Sequence, residues 1–273
     1  MLSYRHAFHA GNHGDVLKHA ILARVLVYVI QKPAPFVYID THAGAGQYKL
    51  NDSAALKTND KDTGVTKIWN ETAPPPLLQP YFEVLRTYNV NRELTLYPGS
   101  PLIAQHFMRI QDRAVGYELH PSDYQALNHT LISNRRFNIY QKNGFSELLS
   151  QLPPKERRGI ILIDPSYEQI IEYNAVYTAI NQAMKKFATG IYIIWYPLLN
   201  AEYATPLLHQ LNALNITKTL RVEFTISTMN TFGLMGSGVW IINPPWLLER
   251  ELRTALPWLM TKLGEFNAHW HIA

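Results

Sequence analysis

The 273-residue chain has no cysteine, which excludes disulfide frameworks, zinc ribbons, iron–sulfur sites and thiol nucleophiles together. Long apolar runs are also missing. Residues 20–30 come nearest, but Arg24 interrupts them and they fall short of the roughly 20 residues that a membrane-crossing helix needs. Residues 1–19 lack the apolar core of a secretory signal. A cytoplasmic, soluble protein with no membrane partner is therefore expected. Charge is sparse, 17% of residues, and 25 Lys+Arg against 21 Asp+Glu leave only +4. The resulting pI near 9.1 leans weakly toward an anionic partner. Internal repeats and low-complexity segments are absent as well.

What the chain does have is core material, with 47% hydrophobic and 12% aromatic residues. Surface scaling for 31.3 kDa gives about 12,000 Å² folded against about 45,000 Å² unfolded, enough burial to hold a fold without covalent staples. Apolar residues at helical spacing over 15–31 predict a first helix, stopped by Pro33. Pro35 then launches Phe36-Val37-Tyr38-Ile39, the kind of run buried in a parallel sheet. Residues 49–95 change character, polar at first and then amphipathic around the Pro74-Pro75-Pro76 break, and read as a small helical insertion. The core is accordingly assigned to 1–48 and 96–273.

The remainder alternates between strands and helices. Strands are expected at 114–118, 137–140, 159–163 and 191–195, followed by helices at 122–131, 145–152, 170–187 and 201–213. Such alternation implies right-handed crossovers and a mostly parallel sheet covered on both faces. Two last strands, 218–226 and 238–243, have no helix between them, so an antiparallel terminal hairpin at the sheet edge is expected before a final helix at 246–263.

Four segments carry chemistry. Asp40, Gly44 and Gly46 form D-x-x-x-G-x-G directly after a strand, where glycines let backbone approach a ligand at the carboxyl end of the sheet. A plain tight turn would look the same. The third glycine of a dinucleotide fingerprint is replaced by Lys49, which argues against nicotinamide binding. Glu118 ends a later strand, where a carboxylate can accept both ribose hydroxyls; alternatively it is a solvated strand-end residue. Asp164-Pro165-Ser166-Tyr167 ends the strand at 159–163. The Asp carboxylate and the Pro carbonyl can each accept one hydrogen of an adenine amine, steering its lone pair toward an incoming methyl group, and the Tyr offers a ring to an extruded base. An ordinary Asp-Pro turn is the plainer reading. Asn243-Pro244-Pro245-Trp246 fits the same pattern, but in a hairpin strand it would leave at the opposite edge of the sheet. Finally, residues 3–19 interleave Arg5, Lys18 and several histidines with Tyr4 and Phe8, suiting a lid over nucleic acid or cofactor. A metal site from His6, His9, His13 and His19 lacks a ligand spacing to support it.

Together the strings MLSYRHAFHAGNHGDVLKH, FVYIDTHAGAGQY, YPGSPLIA, ELHPSDY, RRGIILIDPSYE, FATGIYIIWYP and INPPW resemble the RlmJ family of large-subunit ribosomal RNA methyltransferases along nearly the whole chain. The resemblance implies a Rossmann-like methyltransferase core that uses S-adenosylmethionine and no metal. The implied reaction is methylation of an adenine N6 amine in 23S rRNA, protein-free or partly assembled, by a monomer. By position, Asp164, Pro165 and Tyr167 would be catalytic. Lys18, His19, Asp40, His42, Gly44, Ser100, Glu118, Asn143, Gly144 and Asp164 would border the cofactor, and Tyr4 and Tyr167 the substrate. The chain departs from the family pattern at Asn143, usually Asp, and at Ser166, usually Pro. A DNA adenine methyltransferase and a weakly active RNA-binding factor are the rival readings.

Overall fold

The computed structural model describes residues 5–132, 134–199, 203–228 and 233–273. Helix α1 (His13–Ile30) begins where the Asn12 side chain accepts a hydrogen bond from Asp15 N at 2.9 Å. Apart from its last turn it is buried on almost every side, because it sits between the sheet and other helices. Strand β1 (Val37–Asp40) follows, then β2 (Gln47–Lys49). The chain then winds through α2 (Ser53–Thr58), α3 (Val65–Ile68) and α4 (Gln79–Tyr88) before β3 (Leu96–Pro98) pairs back onto β2. This two-stranded ribbon closes the base of the excursion over 49–95. Val65, Ile68, Tyr81, Phe82 and Leu85 nevertheless join the same core as α1.

Helix α5 (Ser100–Phe107), β4 (Arg113–Tyr117), α6 (Pro121–Leu131), β5 (Phe137–Tyr140), α7 (Gly144–Leu148), β6 (Gly159–Ile163), α8 (Ile171–Lys186) and β7 (Ile191–Leu198) continue the alternation. The chain ends with α9 (Thr205–Ala213), β8 (Thr219–Thr225), β9 (Gly236–Ile242), α10 (Leu248–Leu263) and β10 (His269–Ile272). Eight strands form one sheet in the order β10-β8-β9-β7-β6-β1-β4-β5. The pairs from β7 to β5 are parallel. Side chains alternate across it: Tyr38, Ile160 and Leu162 enter the core beneath α1, α5 and α10, whereas Val37, Ile39, Ile161 and Ile163 enter that beneath α8 and α9. The accessible surface of 12,596 Å² is close to the scaling expectation.

The mixed part of the sheet is larger than a terminal hairpin. β8 and β9 are antiparallel neighbours, but β9 is inserted between β7 and β8 and runs antiparallel to both. The edge belongs to β10, antiparallel to β8. Its four residues, His269-Trp270-His271-Ile272, are too few for alternation to announce a strand, and no helix was expected where α5 lies. Among the described residues no helix is long and apolar enough to cross a membrane.

Candidate functional site

A cavity of about 430 Å³ opens where β1, β4 and β6 end, the usual place for a ligand in an open α/β sheet. Its wall begins with the Gly44–Gly46 turn. Both glycines have left-handed φ, 60° and 80°. A Cβ on Gly44 would lie 2.2 Å from the Tyr48 hydroxyl, and one on Gly46 would lie 2.8 Å from Leu127 Cδ1, so only glycine fits either position. The turn aims Gly44 N at Glu118 Oε2 (2.8 Å), while His120 N donates to Oε1 (2.7 Å). Glu118 is thereby fixed at the rim, and burial pushes its carboxyl up to about 7.

Asp40 stands behind the wall instead of in it. It is fully buried and accepts from the Tyr38 hydroxyl and Ser100 Oγ, each at 2.7 Å, and from His42 N at 3.2 Å. Its role here is to hold Ser100 and His42, both of which line the cavity. Burial lifts Asp40 to about 6. Burial also lowers His19 and His42 to about 3, so both imidazoles are neutral at physiological pH. His19 Nδ1 lies 2.8 Å from the Tyr97 hydroxyl, and His42 meets Phe145 edge-on at 4.7 Å. Asn143 Oδ1 accepts from Phe145 N at 2.9 Å, capping α7. Gly144 next to it lets α7 start directly on β1, since a Cβ there would fall 2.0 Å from Thr41 O.

Asp164 and Pro165 form the far wall at the end of β6. Lys18, from the second turn of α1, reaches Asp164 Oδ2 at 2.5 Å and Asp15 Oδ1 at 2.9 Å, with its ammonium 5.4 Å from the centre of the Trp195 ring. Burial works against the charged ammonium, but Asp15 and Asp164 outweigh it and hold its pKa above the ordinary lysine value. Asp15 is also bonded by Gly11 N at 2.8 Å and lies 2.9 Å from His6 Nε2. Burial alone would raise its carboxyl, yet His6 and Lys18 keep it well below the usual range. The floor of the site is thus an ordered row of carboxylate, ammonium and carboxylate.

The structure brings Lys18, His19, His42, Gly44, Ser100, Glu118, Asn143, Gly144, Asp164 and Pro165 to this one cavity. Tyr167 turns away from it. With φ of 51° its ring is 8% exposed, packs 4.4 Å from Tyr173 and 5.9 Å from Trp195, and donates its hydroxyl to Trp195 O at 2.7 Å. Trp195 itself, on β7 beside Asp164, does line the cavity, together with Tyr48 and Phe145. Tyr4 lies outside the described residues. The N-terminal histidines take different partners: His6 and His19 approach Asp15 at 2.9 and 4.0 Å, the other nitrogen of His19 faces Tyr97, His9 faces Asp60 at 2.8 Å, and His13 is buried with its pKa lowered to about 4. Sequence reasoning passed over Asp15 and Trp195. The three-residue spacing of Asp15 and Lys18 on a helix pointed to the first, and the strand ending at 195 to the second.

The competing Asn-Pro-Pro-Trp segment lies at the other end of the sheet. Because β9 is antiparallel to β7, Asn243 emerges beside the start of β7, where its Nδ2 donates to Ala188 O and Gly190 O, each at 2.8 Å.

A family model described as "Ribosomal RNA large subunit methyltransferase D, RlmJ" matches residues 33–273. The chain is 43% identical over 264 residues to ribosomal RNA large subunit methyltransferase J of Escherichia coli K12, covering 96% of this chain and 94% of that protein. It is 40% identical to the Haemophilus influenzae protein of the same name, covering 99% of both. A crystal structure of protein LPL1258 from Legionella pneumophila superposes with a TM-score of 0.91 at 36% identity, covering 97% of this chain and 98% of that one. The chain belongs to the RlmJ family of large-subunit ribosomal RNA methyltransferases.

Proposed function

We propose that this protein transfers a methyl group from S-adenosylmethionine to the exocyclic N6 amine of a specific adenine in 23S rRNA, acting as a monomer on protein-free or partly assembled RNA. Methyl transfer to 23S rRNA is the reaction of its family. The N6 position and the residue roles go beyond that, and the acceptors at the site support them. The observation that carries the reading is that one cavity joins a rim carboxylate, Glu118, to the acceptor pair Asp164 and Pro165.

The residues present suit the methyl donor. Glu118 offers a carboxylate to the ribose hydroxyls, the Gly44 turn admits close backbone, and Asn143 and Gly144 border the base end. His42, Ser100, Lys18 and His19 complete the wall. When bound, the cofactor supplies an electrophilic methyl group. The protein's own task is positioning. Asp164 and the Pro165 carbonyl each accept one hydrogen of the target amine, leaving its lone pair aimed into the cavity. Lys18 keeps its proton and its ammonium holds Asp164 in place at 2.5 Å. The extruded base lies toward the Trp195 ring, with Tyr167 acting from behind by holding the Trp195 carbonyl.

The test is tritium transfer from labelled S-adenosylmethionine to unmodified 23S rRNA, with DNA and poly(A) as controls. Transfer to 23S rRNA alone, recovered as N6-methyladenosine, is expected. Label on DNA in preference to RNA, or no label on any nucleic acid, overturns the reading.

A further inference from the structure

We propose that the amino end of the sheet and its outer edge strand β5 form a docking track for the sugar–phosphate backbone of the RNA, leading up to the cavity mouth. The inference rests on the RNA reading above and adds a second contact region to it.

At the amino ends of β4 and β5 an open groove of about 470 Å³ is lined by Arg113, Arg135, Arg136 and Lys155 together with Asp112 and Glu156. Both carboxylates are already committed. Asp112 is held by Arg109 at 2.8 Å, and Glu156 takes a forked contact from Arg113 at 3.0 and 3.3 Å. Arg136 makes only neutral contacts, to Asn134 Oδ1 and Met108 O, and Arg135 and Lys155 are exposed without a described ion pair. Four cations against two carboxylates therefore leave the groove lining with an excess of positive charge, in a chain whose whole net charge is +4. A local positive field of this kind serves a polyanion.

Edge strand β5 connects this groove to the site. Among the described residues its only sheet partner is β4, which leaves its outer edge unpaired. Starting from Arg135 and Arg136, the exposed positions along it are Asn138 and Tyr140, one strand face at two-residue spacing. Tyr140 is 42% exposed and its ring is stacked on Tyr117 at 5.7 Å and 26°, a platform for a base. Next comes Lys142, exposed, paired with Glu147 at 3.2 Å and already part of the cavity wall beside Asn143. Cation, amide, ring and cation thus run in sequence from the groove to the mouth. An RNA backbone matches this order of charge and stacking, whereas an acidic globular partner would have no use for the aromatic step.

The test measures methyl transfer to unmodified 23S rRNA by Arg135→Glu/Lys155→Glu, with Lys185→Glu/Lys218→Glu, exposed on other elements, as a control of equal charge change. The track variant should raise KM for RNA about tenfold or more at unchanged kcat. It should flatten the dependence of log affinity on log salt by about 1.5, the value for two lost phosphate contacts. The control should change neither, and S-adenosylhomocysteine should bind all three proteins alike, which also reports that they are folded. Tyr140→Ala should raise KM a few-fold with no change in salt slope. If the parent methylates RNA while the track variant and the control behave alike, the track is overturned and the function stands. A parent inactive on RNA overturns both.

Discussion

Asp164-Pro165-Ser166-Tyr167 and Asn243-Pro244-Pro245-Trp246 leave two strands in nearly the same words and end in opposite chemistry. The first follows β6, which is parallel to its neighbours, so its carboxylate arrives at the carboxyl pole beside Glu118 and the Gly44 turn. The second follows β9, which is reversed, so its amide arrives at the opposite pole and is spent on Ala188 O and Gly190 O. The aromatic residues reverse too. Tyr167 is folded inward, whereas Trp246 is 73% exposed with Arg250 5.9 Å from its ring centre. A motif of this kind is an address only once strand direction is known.

The sharpest way to break the comparison is to truncate both leading residues. Asp164→Ala should lower the single-turnover rate about 10²–10³-fold, the usual loss for a preorganised polar group at a reacting centre, with cofactor affinity changed only a few-fold. Asn243→Ala should leave the rate within about twofold. It should instead cost stability, about 1 kcal/mol for each of the two lost hydrogen bonds, since the left-handed φ is shared by parent and variant. Single-turnover rates and urea unfolding of both variants decide it. The reverse pattern would move the reacting centre to the β9 exit.

The two poles also differ in how they treat carboxylates. At the carboxyl pole burial lifts Glu118 to about 7. At the amino pole burial also works against Glu156, but Arg113 holds it below its ordinary value. Only ionised Glu118 accepts two ribose hydroxyls well, so S-adenosylhomocysteine should bind about tenfold more weakly at pH 6 than at pH 8. In the free protein the sign reverses. The raised carboxyl favours the fold fully below about 4.5, and that contribution is lost as pH rises to about 7. Calorimetry on the parent and on Glu118→Gln checks this: the variant should bind weakly with a flat profile. A variant that keeps the parent's slope would assign the titration elsewhere, Asp40 being the neighbour to examine.

Much of this arrangement was legible in the sequence, for reasons that can be named. β1 and β6 are short apolar runs bounded by Pro35 and by Asp164-Pro165, so pattern and punctuation agree. The glycine turn and Glu118 declared themselves by position after strands, and most of the residues carried over from the family line one cavity. What was not legible is non-local. The edge position of β10 depends on pairing with a strand more than 40 residues earlier. The seclusion of Asp40 follows from Tyr38 and Ser100 closing over it. Tyr167 faces inward because of a left-handed φ and a carbonyl on the neighbouring strand, neither of which a motif encodes.

That inward ring gives the next contrast. Tyr167→Phe keeps the packing against Tyr173 but leaves Trp195 O without its donor, a loss of about 1 kcal/mol. Turnover should fall about fivefold if the Trp195 backbone must stay fixed for the base to seat. Trp246→Ala, on the exposed partner motif, should stay within about 0.5 kcal/mol in stability and unchanged in rate. Equal turnover in the two variants would show that Tyr167 merely fills space.

The smallest effect concerns Ser166, the one position where the β6 exit departs from the double proline that the β9 exit keeps. Proline there would shrink the unfolded ensemble, worth about 0.4–1 kcal/mol if the backbone is compatible. Were that stiffness needed in the native loop, 1 kcal/mol of better aim would give about fivefold in rate. The loop is already held on both sides. Pro165 fixes the residue before Ser166, and Tyr167 is tied to Trp195 O after it. Glu172 accepts from Gln169 N at 3.2 Å and from Ser166 Oγ at 3.4–3.5 Å. The serine contact is long for a hydrogen bond and its loss costs little. Ser166→Pro should therefore leave the single-turnover rate at saturating cofactor within about twofold of the parent. A fivefold acceleration would show instead that the carboxylate and carbonyl acceptors wander in the parent, and that the tethers through Trp195 and Glu172 do not reach as far as Asp164.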